Sequence, residues 1–315
     1  MDSFQTRLKV KTIKADLLAL PTGLDAYDTA YGDAMDRIFG QERDYQESAE
    51  KVLSLVLCAR RPLTSSELQH ALMIETGDTE LEEDNGLDCE TILSVCAGLI
   101  TIDESSDTIR FVHYTTQEYL QRTQKRWLPK AELKIARACL DYLLLHEFSL
   151  VPEGTTHDAD SVISDSSSET YAFHDEYRQE DAEFNIKRRE LYFPFAEYAS
   201  IHGAYHWDAV VETDSSIHAD ILSLLVSSQV LYAMRQFFFK HSDDYRNGYL
   251  ESPGSKLGTV VHWISGTGLA HLTEFCIVNG FAYDTKGTCL RIHVYCSTLL
   301  RIIMNHLHSY RLNKC

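Results

Sequence analysis

Leu63-Thr64-Ser65-Ser66-Glu67-Leu68, followed by Leu99-Ile100-Thr101-Ile102 and Thr108-Ile109-Arg110-Phe111-Val112, decides the fold. Thr64 and Glu67 have the spacing of a capping box: the hydroxyl accepts from the third helical amide, and the carboxylate accepts from the cap amide. Leu63 and Leu68 fall where a hydrophobic staple would place them, so a helix is predicted to open here and run through Leu72 and Ile74. The two β-branched segments flank a polar turn, Asp103 to Asp107, and read as a hairpin. Between them lie an acidic loop, Glu75 to Asp84, and a third helix from about Asp88 to Ala97 with Gly98 as its left-handed C-cap. A helix from near Ser48, carrying Val52, Leu53, Leu55 and Val56 up to Arg60-Arg61-Pro62, comes first. Three helices followed by a two-stranded hairpin is the element order of a winged helix.

Outward from this unit the chain reads as mainly α. Thr115-Thr116-Gln117-Glu118 predicts a second capping box, opening a helix with Tyr119 and Leu120. Upstream, residues 5 to 40 predict two short helices punctuated by Pro21 and Gly23, the second striped by Tyr27, Tyr31, Met35 and Ile38. Downstream, a helix is expected over Lys130–Phe148, and helical patterning returns at Leu191–Trp207 and Ile217–Phe239. Val151 to about Asp181 shifts to Ser, Asp, Glu, Thr and Gly, the composition of a mobile insertion. Thr259-Val260-Val261-His262, Gly268-Leu269, Leu272, Phe275-Cys276-Ile277 and Gly280 fall at the offsets of one degenerate ankyrin repeat. The expected units are therefore lid-like helices at 1–44, a winged helix at 45–128 and a linker helix at 129–150. An acidic disordered insertion at 151–185, a helical linker at 186–250, an ankyrin-like repeat at 257–290 and an atypical basic tail at 291–315 follow.

Composition narrows the function. The formal net charge of the 315 residues is −18, which repels phosphate backbones. The chain starts without a basic segment leading into an apolar one, has no run of about 18 apolar residues and contains no N-x-[ST] sequon. Its eight cysteines form no C-x-x-C pair, and a cytoplasmic protein with reduced thiols is expected.

Four motifs carry a family resemblance. They are Leu20-Pro21-Thr22-Gly23-Leu24-Asp25-x-Tyr27-Asp28, Ala59-Arg60-Arg61-Pro62-Leu63-Thr64-x-x-Glu67-Leu68, Val95-Cys96-Ala97-Gly98-Leu99 and Val112-His113-Tyr114-Thr115-Thr116-x-Glu118-Tyr119-Leu120. Together they resemble the winged-helix region of fungal NACHT–ankyrin proteins, of the STAND class of signalling ATPases, a module also named the GPI inositol-deacylase winged-helix domain. In such proteins a NACHT ATPase precedes the winged helix and ankyrin repeats follow it. No G-x-x-x-x-G-K-[ST] phosphate loop occurs in this sequence, so ATP hydrolysis is not expected of it. The resemblance implies that the chain is a truncated relative, a non-enzymatic fragment binding protein partners, among them a NACHT module in cis or in trans. It also implies a role for His113, since a winged-helix histidine in related proteins touches the nucleotide phosphate; Tyr114 stands here in place of the usual acid. Local capping or packing is the plainer role for His113, and a degenerate product without activity is the alternative reading of the whole.

Other chemistries find less support. Between Arg61 and Ile100 no Arg or Lys opposes nine acids, so the third helix has nothing with which to read guanine edges or phosphates, and no nucleic-acid partner is expected. His202 and His206 stand four apart, the spacing of helical metal ligands, with Glu197 or Asp208 as a third candidate. They also resemble the family's Tyr-Ala-x-x-x-Trp-x-x-His linker helix, aligning at Tyr198 and His206 with Gly203 where Trp is usual, and packing is the expected role. There is no G-x-S-x-G elbow. No catalytic residues, cofactor, metal, membrane span or small-molecule substrate are expected.

Overall fold

A computed structural model of the chain describes residues 24–149, 187, 189–239 and 268–279. The capping box forms as its spacing dictates. Thr64 Oγ1 accepts from the Glu67 amide at 3.2 Å, and the Glu67 carboxylate accepts from the Thr64 amide at 2.8 Å. They open a helix over Ser65–Met73, with Leu63 and Leu68 both buried.

In chain order the helices of this half are α1 (Leu24–Phe39), α2 (Arg43–Cys58), α3 (Ser65–Met73), α4 (Cys89–Val95), α5 (Tyr114–Trp127) and α6 (Ala131–Leu143). The strands are β1 (Leu63–Thr64), β2 (Ile100–Asp103) and β3 (Thr108–Phe111). The hairpin is present, with Ile100 opposite Phe111 and Asp103 opposite Thr108. Along β3, Ile109 and Phe111 are buried while Arg110 faces out, the period of a half-buried strand. The sheet has three strands, not the two expected, in the order β1-β3-β2. Two residues at the foot of α3 pair with the hairpin, Leu63 opposite Ile109. Asp107, at φ +49, locks the hairpin tip to α3: its carbonyl accepts from the Ser65 amide and its carboxylate from the Ser65 hydroxyl. That bond satisfies one of the helix's orphan amides.

Several expectations need correction. The helix predicted from Ser48 begins at Arg43. Lys130–Phe148 is α6 followed by a separate short turn, α7 (His146–Ser149). Gly98 is left-handed at φ +79, but Ala97 precedes it at φ +48, so α4 ends sooner than expected. The second capping box does not form. α5 starts at Tyr114, its N-cap is His113 with no side-chain cap, and the Thr115 hydroxyl bonds Tyr31 instead.

Behind the winged helix stand α8 (Ala196–Val210), α9 (His218–Val226), α10 (Ser228–Phe239) and α11 (Ala270–Val278). α6 packs on α2 at one side and on α8 at the other. That double contact explains why Ile135, Ala136, Ala138, Cys139, Leu140, Tyr142 and Leu143 are all buried, since a helix covered on two sides is apolar nearly all round. Leu191–Trp207 resolves into α8, and Ile217–Phe239 into α9 and α10. Of the ankyrin-like stretch only α11 is described, with Leu269, Leu272 and Cys276 buried. Its Thr259 to His262 start, the insertion at 151–185 and the tail at 291–315 lie outside the described residues.

Candidate interaction surface

The hairpin leaves β3 at Phe111, which is buried, and the chain then turns outward. Val112, His113 and Tyr114 are all exposed, Tyr114 by 76%. The extended backbone of His113 (φ −136, ψ 148) begins α5, and its carbonyl accepts the Thr116 amide while its imidazole makes no cap bond. Thr115 turns inward to Tyr31, at 2.7 Å, and Tyr31 lies against both Tyr27 and Tyr119. Tyr27 is itself half exposed, so one corner presents Tyr27, Val112, His113 and Tyr114 together around the α1–α5 contact. The Arg122 guanidinium clamps the contact by a bidentate pair with Asp28, at 2.9 and 2.6 Å, which holds the Asp28 carboxyl below the usual range.

Of the other motif residues, Tyr119 and Glu67 serve the fold. Tyr119 is buried and its hydroxyl accepts from the Trp127 indole at 3.0 Å. Glu118 is exposed on α5 and caps nothing. Glu67 does double duty: besides the cap it takes a bidentate pair from Arg61, at 2.8 and 2.6 Å. Pro62 is exposed immediately before β1. Pro21 and Gly23 lie outside the described residues.

α4, the element a DNA-reading winged helix would insert, carries Glu90 as its one charged residue and is capped by Asp88 through the Thr91 amide at 2.7 Å. That face offers negative charge where a duplex needs positive.

Residues 36–127 match the family model of the GPI inositol-deacylase, winged helix domain. The matched span runs from the middle of α1 to the end of α5, and so contains the corner, the sheet and α4. No curated protein matches the chain, and no solved structure does. Among the described residues no helix is long and apolar enough to cross a membrane.

Behind the winged-helix domain, the two histidines at metal-ligand spacing both lie against the Tyr198 ring. His206 is buried, its Nδ1 lying 2.6 Å from the Glu132 carboxylate and its Nε2 2.9 Å from the Tyr198 hydroxyl. His202 lies against the Tyr198 ring, and burial, with Arg61, His206 and Arg60 nearby, lowers its pKa to about 4. No cluster of three metal-ligating side chains occurs among the described residues. Asp208, the other candidate ligand, accepts from the Leu272 amide at 2.8 Å and so caps α11. Gly203 is open for a packing reason: a Cβ there would lie 2.9 Å from the Trp207 ring, and the Trp207 indole donates to the Ala136 carbonyl at 3.1 Å.

Sequence reasoning missed the groups that join the two halves. Arg60 lies over the Tyr205 ring at 4.6 Å and Arg61 over Tyr198 at 5.2 Å. Arg137 of α6 pairs with Asp220 of α9. None of these pairings has a local sequence signature, because each spans more than sixty residues.

Proposed function

We propose that this chain is a non-enzymatic regulatory protein of the STAND signalling type, whose winged helix docks through the α5 corner on a NACHT nucleotide-binding module, in cis or in trans. The observation that carries the reading is the disposition of Val112, His113 and Tyr114. Two large apolar side chains and an imidazole stand in water at the start of a helix, and the fold uses none of them. Exposed tyrosine beside a rim of polar groups is the composition of interface hot spots. A helix N-terminus adds partial positive charge toward an anion such as a nucleotide phosphate. The family match over 36–127 and the lack of a phosphate loop in the sequence support a domain that senses rather than hydrolyses.

The test is titration of the full chain against a separately produced NACHT module loaded with ADP. Binding is expected, and the double variant His113→Ala, Tyr114→Ala should weaken it by roughly tenfold or more. Equal affinities for the two proteins would remove the corner from the interface, and an absence of binding by either would remove the proposed partner.

A further inference from the structure

Charges of opposite sign are sorted to the two ends of α6. At its start three exposed cations stand close in the chain: Lys125 and Arg126 in the last turn of α5, and Lys130, the N-cap of α6. Their basic neighbours Arg122 and Lys134 are paired with Asp28 and Glu50, whereas these three have no ion pair among the described residues. Glu132, in the first turn of α6, is turned to His206, and Asp214, near Lys130, accepts from the Ser216 amide. Arg126 is carried on the Trp127 ring, 4.2 Å from its centroid. Cations at the end of a helix suit its dipole, which accounts for Lys125 and Arg126. Lys130 sits at the positive end of α6, where a cation is unfavourable, so the fold gives no reason for it.

At the other end of α6 is the acidic loop. The Thr76 hydroxyl donates to Asp141 at 3.3 Å, and the Thr79 carbonyl accepts from the His146 amide at 2.9 Å, so the loop is fastened beside the last turn of α6. Glu80, Glu82, Asp84 and Glu90 are exposed and have no ion pair among the described residues, and the sequence has no Lys or Arg between Arg61 and Ile100. Lys51, beside Glu75 and Asp78, donates to the Leu72 and Ile74 carbonyls instead. About 16 Å of helix separates Lys130 from Asp141. Exposed charges that far apart, roughly two screening lengths at physiological salt, do not neutralise each other.

We propose that the strip of Lys125, Arg126 and Lys130 is a docking site for the acidic loop of a second copy of this chain, so that copies associate head to tail. Strip and loop are complementary in sign, and α6 holds them apart within one molecule. The contact is heterologous: a bound pair keeps one strip and one loop free and extends to further copies. The net charge of −18 opposes association at long range, but that repulsion is screened beyond about 8 Å in physiological salt, and patches in contact are screened much less. Tyr114 lies at the opposite end of α5 from Lys125 and Arg126, so the strip is separate from the corner and independent of what docks there.

Sedimentation velocity of the full chain, over a concentration series to about 100 μM, reads the association. Mass should rise with concentration in about 0.15 M salt, and the association constant should fall by roughly fivefold or more in about 0.5 M salt, as exposed ion pairs are screened. The strip variant Lys125→Glu, Arg126→Glu and the loop variant Glu80→Lys, Glu82→Lys should each be monomeric alone. Mixed in equal amounts they should associate again, because one is then acidic at both patches and the other basic at both. Should either fail to fold, the neutral pairs Lys125→Ala, Lys130→Ala and Glu80→Gln, Glu82→Gln should each weaken association by roughly threefold. A monomer at every concentration, association that salt does not weaken, variants that associate like the natural chain, or a mixture of folded reversed variants that stays monomeric overturns the proposal.

Discussion

The corner before α5 and the seam between α6 and α8 both set a histidine among tyrosines, and the fold treats the two in opposite ways. At the seam both nitrogens of His206 have partners, Tyr198 and Trp207 are fully buried, and a glycine is kept so that the indole fits. At the corner His113 caps nothing and Tyr114 stands in water. Residue type is alike in the two places, so what separates them is desolvation. A buried polar group must be paired or it costs about 1–3 kcal/mol, whereas an exposed one is satisfied by water and can be left for a partner. The seam is where side chains hold the protein together, and the corner is where they are available to something else.

The largest effect that would break this contrast lies at Trp207. Replacing it with alanine removes a wholly buried side chain and its bond to Ala136, and should cost about 3–5 kcal/mol in urea unfolding. A cost below 1 kcal/mol would mean the seam is not a packed interface. Gly203→Ala comes next, at about 1–3 kcal/mol, because the added methyl meets the Trp207 ring and the Cys139 Cβ rather than open space. A neutral result there, read from the same unfolding midpoint, would show that the indole can shift. Thr64→Ala should cost about 1 kcal/mol by loss of the N-cap, and Thr115→Ala only about half as much, since Thr115 bonds Tyr31 and caps nothing. Reversed magnitudes would restore the second capping box. His113→Ala is expected to leave the unfolding midpoint unchanged within about 0.5 kcal/mol, as for a surface residue the fold does not use. A clear loss of stability would move His113 from the corner's class into the seam's.

What could be read from the sequence follows the range of the forces involved. The capping box at Thr64 and the hairpin are local, decided by residues within a few positions, and both are found where they were expected. The same pattern at Thr115 was misleading because a tyrosine from α1, 84 residues away in sequence, takes the hydroxyl first. β1 is two residues long and exists only because β3 is there to pair with it, so no periodicity announces it. His202 and His206 have the spacing of a metal pair, with packing the expected role; His206 is partnered by Glu132 and Tyr198, and only the folded chain shows that Glu132 is within reach. At the corner, the motif containing His113 was legible, while the exposure of Val112 and Tyr114 beside it was not.

The cap on α11 sets an order of assembly. α11 has nine residues, too few to be stable alone, and Leu269 at its N-cap has no side chain that can accept a hydrogen bond. Its acceptor comes from Asp208, 64 residues earlier on α8. α11 can therefore close its first turn only after α8 is in place, and α8 is in place only when α6 is there to receive Trp207. Among the described helices, α11 thus depends for its cap on α8, and Asp208→Ala should fray α11, seen as early amide exchange at 270–278, while exchange in α2 and α6 stays slow.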